Sequence, residues 1–204
     1  MQTKFASLMK TSVAIAAIAI LAVSCKKDSE TGSPLQTQNK TAAVSGISTA
    51  TITGRYGNPA LGPTAFGTVY FNLTTGAQDT VGTAGPYDVY FTSTNNSVVQ
   101  VPAGGSLKFL YLESNPAFST LKTSQFTAAA VASIGRNTGS GASTNGWYNY
   151  VVPAGVTAIP GAFILVTTAE NETYALRFTS AVGQGSATSN RGVYGIEYGL
   201  IDNL

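Results

Sequence analysis

The stretch Ala162–Phe178, AFILVTTAENETYALRF, decides the fold. Ile164-Leu165-Val166-Thr167-Thr168 runs into a polar break at Ala169-Glu170-Asn171-Glu172, and Tyr174-Ala175-Leu176-Arg177-Phe178 runs out of it. Both arms are short, rich in β-branched and aromatic residues, and joined by turn-forming residues. They read as a β-hairpin. Glu170 and Glu172 then sit at the turn, where solvated side chains are the simpler reading than a paired-carboxylate site.

The same pattern continues outward in both directions. Thr173 to Ala181 and Gly192 to Ile201 follow the hairpin; Trp147 to Val152 and Ser106 to Glu113 precede it. Further upstream are Tyr87 to Phe91, Gly67 to Leu73 and a weak alternation over Ile47 to Ile52. Each is bounded by Gly, Pro, Asn or Ser, and no long amphipathic segment of period 3.6 interrupts them. The expectation is an all-β fold, a single sandwich or barrel-like domain over residues 44–204 with at most one or two short helices. Ser124 to Ile134 (SQFTAAAVASI) is read as one such helix, with Ser124 as N-cap and Gly135 closing it; a loop and strand are the alternative. Arg136 to Gly146 and Val182 to Gly192, rich in Gly, Ser, Thr and Asn, read as exposed loops.

Residues 1–24 belong to a different physical regime. Lys4 and Lys10 precede an apolar run, Thr11 to Ser24, of 14 residues. A membrane span needs roughly 20, so the run fits a signal-peptide core instead. It ends at Cys25, the chain's single cysteine. Leu21-Ala22-Val23-Ser24-Cys25 resembles a bacterial lipobox, which makes Cys25 the lipidation site; an ordinary secretory peptide is the alternative. Residues 25–43 then form the lipidated Cys and a polar tether with Gly32-Ser33-Pro34 inside. Eighteen such residues after the cysteine span roughly 20–25 Å. Lys26-Lys27-Asp28-Ser29-Glu30 looks like a surface-export signal. The expected location is the outer membrane, lipid-anchored and facing the cell exterior.

Composition excludes several functions. The 204-residue chain is 44% apolar and 10% charged, with no His. The net charge of +2 resides in Lys4 and Lys10, so the mature chain is near neutral and no nucleic-acid partner is expected. Without His, the usual general base, zinc ligand and nucleophilic triads are missing. The carboxylates beyond the tether are Asp79, Asp88, Glu113, Glu170, Glu172, Glu197 and Asp202, and no spacing pairs them for acid–base work. No phosphate-binding glycine motif is present. The chain is read as a binding protein, not an enzyme, with no metal-ligating cluster. Asp88 inside an aromatic strand reads as a structural hydrogen-bond acceptor.

The tyrosines carry the remaining chemistry. Tyr87, Tyr90, Tyr148 and Tyr150 could line an apolar slot, or pack the core with the hydroxyl at the surface. Trp147, beside the Gly/Ser loop, is either an exposed platform or a core residue. The ligand-binding set taken forward is Tyr90, Trp147 and Tyr148. Asp79-Thr80-Val81 resembles a bacterial O-glycosylation acceptor, with Thr80 as the modified residue.

The ordered segments resemble the HmuY-like lipoproteins, haem-capturing proteins of Gram-negative bacteria. The matching pieces are Tyr70-Phe71-Asn72-Leu73 with Gly76, Tyr87-Asp88-Val89-Tyr90-Phe91, Asn95-Asn96, Trp147-Tyr148-Asn149-Tyr150, the hairpin Phe163 to Phe178, and Gly192 to Tyr198. They cover about residues 65–200. The resemblance implies an all-β domain that takes up haem and passes it to an outer-membrane TonB-dependent receptor. It also implies iron held by paired His or Met. Here the chain departs from the family: His is absent, and Met1 and Met9 leave with the signal peptide. Haem, if bound, must then be held by tyrosine or without an axial ligand. The competing expectation is a haem-independent structural, adhesive or accessory-subunit module at the cell surface.

Overall fold

The computed structural model describes residues 43–83, 85–151 and 155–201. Residues 1–42, on which the signal-peptide, lipidation and tether readings fall, lie outside the described residues. The strands are β1 (Val44–Thr53), β2 (Val69–Phe71), β3 (Gln78–Asp79), β4 (Val89–Thr92), β5 (Val98–Gln100), β6 (Ser106–Tyr111), β7 (Ser133–Ile134), β8 (Tyr148–Val151), β9 (Gly155–Ala158), β10 (Ala162–Thr167), β11 (Thr173–Ser186) and β12 (Ser189–Ile201). They form one antiparallel sheet in the order β1-β12-β11-β10-β6, a second in the order β3-β2-β4-β5-β7, and the separate β8-β9 hairpin. The all-β expectation holds, and the only helical elements among the described residues are short 3₁₀ turns.

The hairpin at Ala162–Phe178 is the centre of the first sheet. Thr167 pairs with Thr173, and the Thr168 N–H closes the turn on the Glu172 carbonyl at 2.8 Å. Strand β10 is buried on both faces, which explains its unbroken apolar run. Ile164 and Val166 join the main core between the two sheets, with Phe71, Phe91, Leu176, Phe178 and Ile196. Phe163 and Leu165 point the other way, into a second core with Phe118, Leu121 and Phe126. Each fully buried Ile or Phe stabilises the fold by about 1.5–3 kcal/mol. Strand β1 serves both cores because its register slips between Ser45 and Ser48. The slip turns Val44 to the second core while Ile52 faces the first.

Two sequence expectations are corrected. Ser124 to Ile134 is not a helix: a 3₁₀ turn covers Thr123–Gln125, the chain continues irregularly, and Ser133–Ile134 is strand β7. Ala128, Ala129 and Ala130 are exposed, so a helix there would have no apolar stripe to bury. Val131 instead donates its N–H to the Leu107 carbonyl at 2.9 Å, covering part of the β6 edge. Val182 to Gly192 is not a loop: it continues β11 and β12 as a two-stranded ribbon, with Val182 opposite Val193 and Gly185 opposite Asn190. Its small polar side chains hide the strand signal, because backbone pairing holds most of it, with Arg191 bonded to Gln184 across the two strands. Arg136 to Gly146 does run irregularly, with a 3₁₀ turn at Gly141–Ser143 and the side chains of Asn137 and Asn145 bonded to its backbone.

Asp79 organises the turn after β3. Its Oδ1 accepts the N–H groups of Thr80 and Val81, and its Oδ2 accepts those of Gly82 and Thr83 and the Tyr87 hydroxyl. These donors, the Val81 N–H first and Tyr87 next, hold the Asp79 carboxyl well below the usual carboxylate range. A depressed folded-state pKa adds stability above about pH 4 that is lost as pH falls below the unfolded value. Asp88 pulls the other way. It is buried with Oδ2 on the Leu73 N–H at 2.7 Å, and burial, aided by the charges of Glu170 and Glu172, raises its pKa. Its contribution therefore falls as pH rises through that raised pKa. Asp79→Asn is expected to lower the melting temperature at neutral pH and to flatten its decline between pH 5 and 2.5. An unchanged acid limb in thermal melts of the variant would show that Asp79 does not govern it.

Candidate functional site

The β11–β12 ribbon and the β8–β9 hairpin stand side by side at one end of the sandwich and enclose a groove. Its larger part, about 450 Å³, is lined by Asn95, Tyr150, Gly155, Val156, Ala181, Val182, Gly183, Gly192 and Tyr194. An adjoining part of about 260 Å³ shares Asn95, Tyr150 and Val156 and adds Thr94, Ser97, Arg136 and Tyr148. Small-molecule sites run from roughly 300 to 1,000 Å³, so the two parts together are of ligand size. Tyr150 is 47% and Val182 is 55% exposed. Large apolar side chains left in solvent beside a concavity are informative in a way that buried ones are not.

The floor of the groove is rigid. Trp147 is stacked on Phe178 with ring centroids 3.6 Å apart and 11° between planes. Its indole N–H donates to the Ser97 carbonyl at 2.8 Å. Tyr148 packs against Trp147 at 4.6 Å, and its hydroxyl is 3.1 Å from Ser97 Oγ. Tyr194 donates its hydroxyl to the Asn95 carbonyl at 2.7 Å. Gly192 permits that approach, since a Cβ there would collide with the Tyr194 hydroxyl. Burial, with a smaller push from Tyr148, raises the Tyr194 pKa, so this phenol stays neutral and committed to its bond.

Tyr148 and Tyr150 are two residues apart on β8 and therefore face the same side. Tyr148 is buried beneath the groove, and Tyr150 is the exposed ring. The Arg136 guanidinium lies over the Tyr150 ring, 5.7 Å from its centroid. Position 136 is fixed by a parallel bridge to Tyr148, the Trp147 N–H on the Gly135 carbonyl and the Asn137 N–H on the Tyr148 carbonyl.

The three residues taken forward from sequence are not brought into one surface. Trp147 is 1% exposed and is a core residue, so it offers no free face: its Phe178 stack and its Ser97 bond use the ring. Tyr148 lines the groove from below. Tyr90 is elsewhere, half-buried on the outer face of β4, edge-on to Tyr70 at 5.1 Å, with Tyr87 on the far side of Tyr70. Tyr150 is the residue the selection left out. The alternation Tyr148-Asn149-Tyr150 was its signal, since it puts both rings on one side. Val182 and Gly183 gave none, because the ribbon beyond Ala181 did not read as a strand.

Thr80 is exposed within the Asp79 turn, and its carbonyl accepts a bond from Arg55 Nη1 at 3.1 Å. Among the described residues, no three His, Cys, Asp or Glu side chains come together as a metal site.

No family model matches the chain, and no curated protein matches it. Among solved structures it is similar to a crystal structure of a HmuY-like haem-binding protein from Bacteroides vulgatus, at 12% identity and a TM-score of 0.35. The match covers 76% of this chain and 93% of that one. A likeness this distant bears on neither ligand nor partner.

Proposed function

We propose that the chain is a non-catalytic lipoprotein, anchored through Cys25 at the outer membrane and facing outward, that captures a flat apolar ligand for uptake. Haem is the ligand we favour, with a TonB-dependent receptor as the acceptor. The observation that carries this reading is the groove. Tyr150 and Val182, both exposed, flank a concavity whose floor includes the hydrogen-bonded rings of Tyr148 and Tyr194. A planar ring system laid against Val156, with the Tyr150 hydroxyl turned to its centre, would bury surface worth about 25 cal/mol per Å². With no His in the chain, and with Met1 and Met9 in the segment read as a signal peptide, phenol oxygen is left as the iron donor. Tyr194 is neutral and bonded, and Tyr148 is buried on Ser97, so Tyr150 is the side chain placed to supply it. Thr80 is the residue proposed to carry an O-glycan, and its exposure supports that reading.

A haem titration followed by absorption in both redox states tests this. The expected result is a saturable Soret shift in the wild type. Tyr150→Phe should weaken binding about tenfold, near 1.4 kcal/mol, and lose the phenolate-to-iron band. Tyr90→Phe should bind as the wild type does. A Soret band no different from that of haem with an inert protein would remove haem from this account.

A further inference from the structure

We infer that Arg136 receives an acidic group on the edge of the bound ligand, so that the groove selects flat ligands carrying a carboxylate over their uncharged counterparts. This rests on the groove being the binding site. Its basis is how the chain's arginines are used. Arg177 is paired with Glu197 at 2.6 Å, Arg55 donates to the Thr80 carbonyl, and Arg191 holds Gln184 Oε1 with two nitrogens. Among the described residues the Arg136 guanidinium meets no acceptor; it lies only over the Tyr150 ring. A cation on an aromatic face keeps its in-plane N–H donors available, and guanidinium donors match a carboxylate in a two-bond fork.

The surrounding charge agrees. No carboxylate lines either part of the groove. Glu170 and Glu172 lie at the β10–β11 turn, and β11 reaches the groove only at Ala181 to Gly183. Nine positions along the strand carry the chain about 30 Å from Glu172 to Ala181. With screening over about 8 Å at physiological salt, those charges do not neutralise Arg136. The backbone ties at residues 135 to 137 fix the strand position from which it reaches. The ligand would then lay its ring against Val156 and turn its acidic edge to Arg136.

The test compares deuteroporphyrin with its dimethyl ester, which has the same ring and no acid. Binding to the purified full chain is read by quenching of Trp147, the chain's single tryptophan, which lies directly beneath Tyr148. The wild type should bind the diacid about tenfold more tightly than the ester. Arg136→Gln should lose that preference by weakening the diacid alone, and raised salt should narrow the gap in the wild type. Equal binding of both porphyrins to the wild type would overturn the assignment of Arg136 and leave the groove standing. So would an Arg136→Gln variant that loses both ligands equally. If neither porphyrin binds the wild type, the groove reading falls and this inference falls with it.

Discussion

Asn96→Ala is expected to lower the unfolding free energy by about 3–5 kcal/mol. Asn96 is 0% exposed, and its amide holds three backbone segments at once. Its Oδ1 accepts the Arg55 N–H at 2.8 Å, and its Nδ2 donates to the carbonyls of Gly67 at 3.0 Å and Phe91 at 2.9 Å. Those groups lie just beyond β1, just before β2 and within β4, so one side chain ties the two sheets together at the groove end. Truncation leaves the buried Phe91 carbonyl and the part-buried Arg55 N–H and Gly67 carbonyl without partners, at up to about 1–3 kcal/mol each. A second cost adds to this: Asn96 sits at φ 56°, a left-handed conformation that Asn tolerates better than Ala. Asn96→Asp does not rescue, because it removes both Nδ2 donors and buries a charge. Urea denaturation should show a lower midpoint with an unchanged slope. A loss below about 1 kcal/mol would mean that water replaces the amide at no great cost. The adjacent Asn95 carbonyl anchors Tyr194, so the variant should also loosen the groove.

The fold was legible where burial imposes a period on side chains. The run AFILVT and the alternation in TYALRF gave strands and turn, because β10 is covered on both faces and β11 presents Tyr174, Leu176 and Phe178 to one core. Legibility ended where backbone bonds do the work. The ribbon beyond Val182 is held by paired main chains under Gly, Ser and Gln, and its sequence matches that of a loop. The Ala run at Ala128 to Ala130 misled in the opposite sense: its helix propensity is real, but no buried face is there to secure it. The site followed the same division. Aromatic residues near β8 could be named from sequence, but their exposure could not. Trp147 and Tyr148 fill the interior, and Tyr150 alone of that motif's rings reaches solvent, because the hairpin projects beyond the core after Tyr148.

If the groove between the hairpin and the ribbon holds the ligand, Gly183 allows it to be closed without disturbing the core. Gly183 lines the larger part of the groove, is exposed, and has no atom within 4 Å of where a Cβ would stand. Its φ lies outside the left-handed region, so an L side chain is accepted there without backbone strain. Gly183→Trp places an indole into the space a ligand would occupy. Binding is expected to fall by at least about 100-fold, since a planar ligand and a bulky fixed ring cannot share one cleft. The most direct measurement is therefore a parallel haem titration of wild type and Gly183→Trp, with thermal melts of both. The account predicts a saturable Soret shift in the wild type, none in the variant, and melting temperatures within a few degrees of each other. Haem binding of equal affinity in both proteins would contradict it.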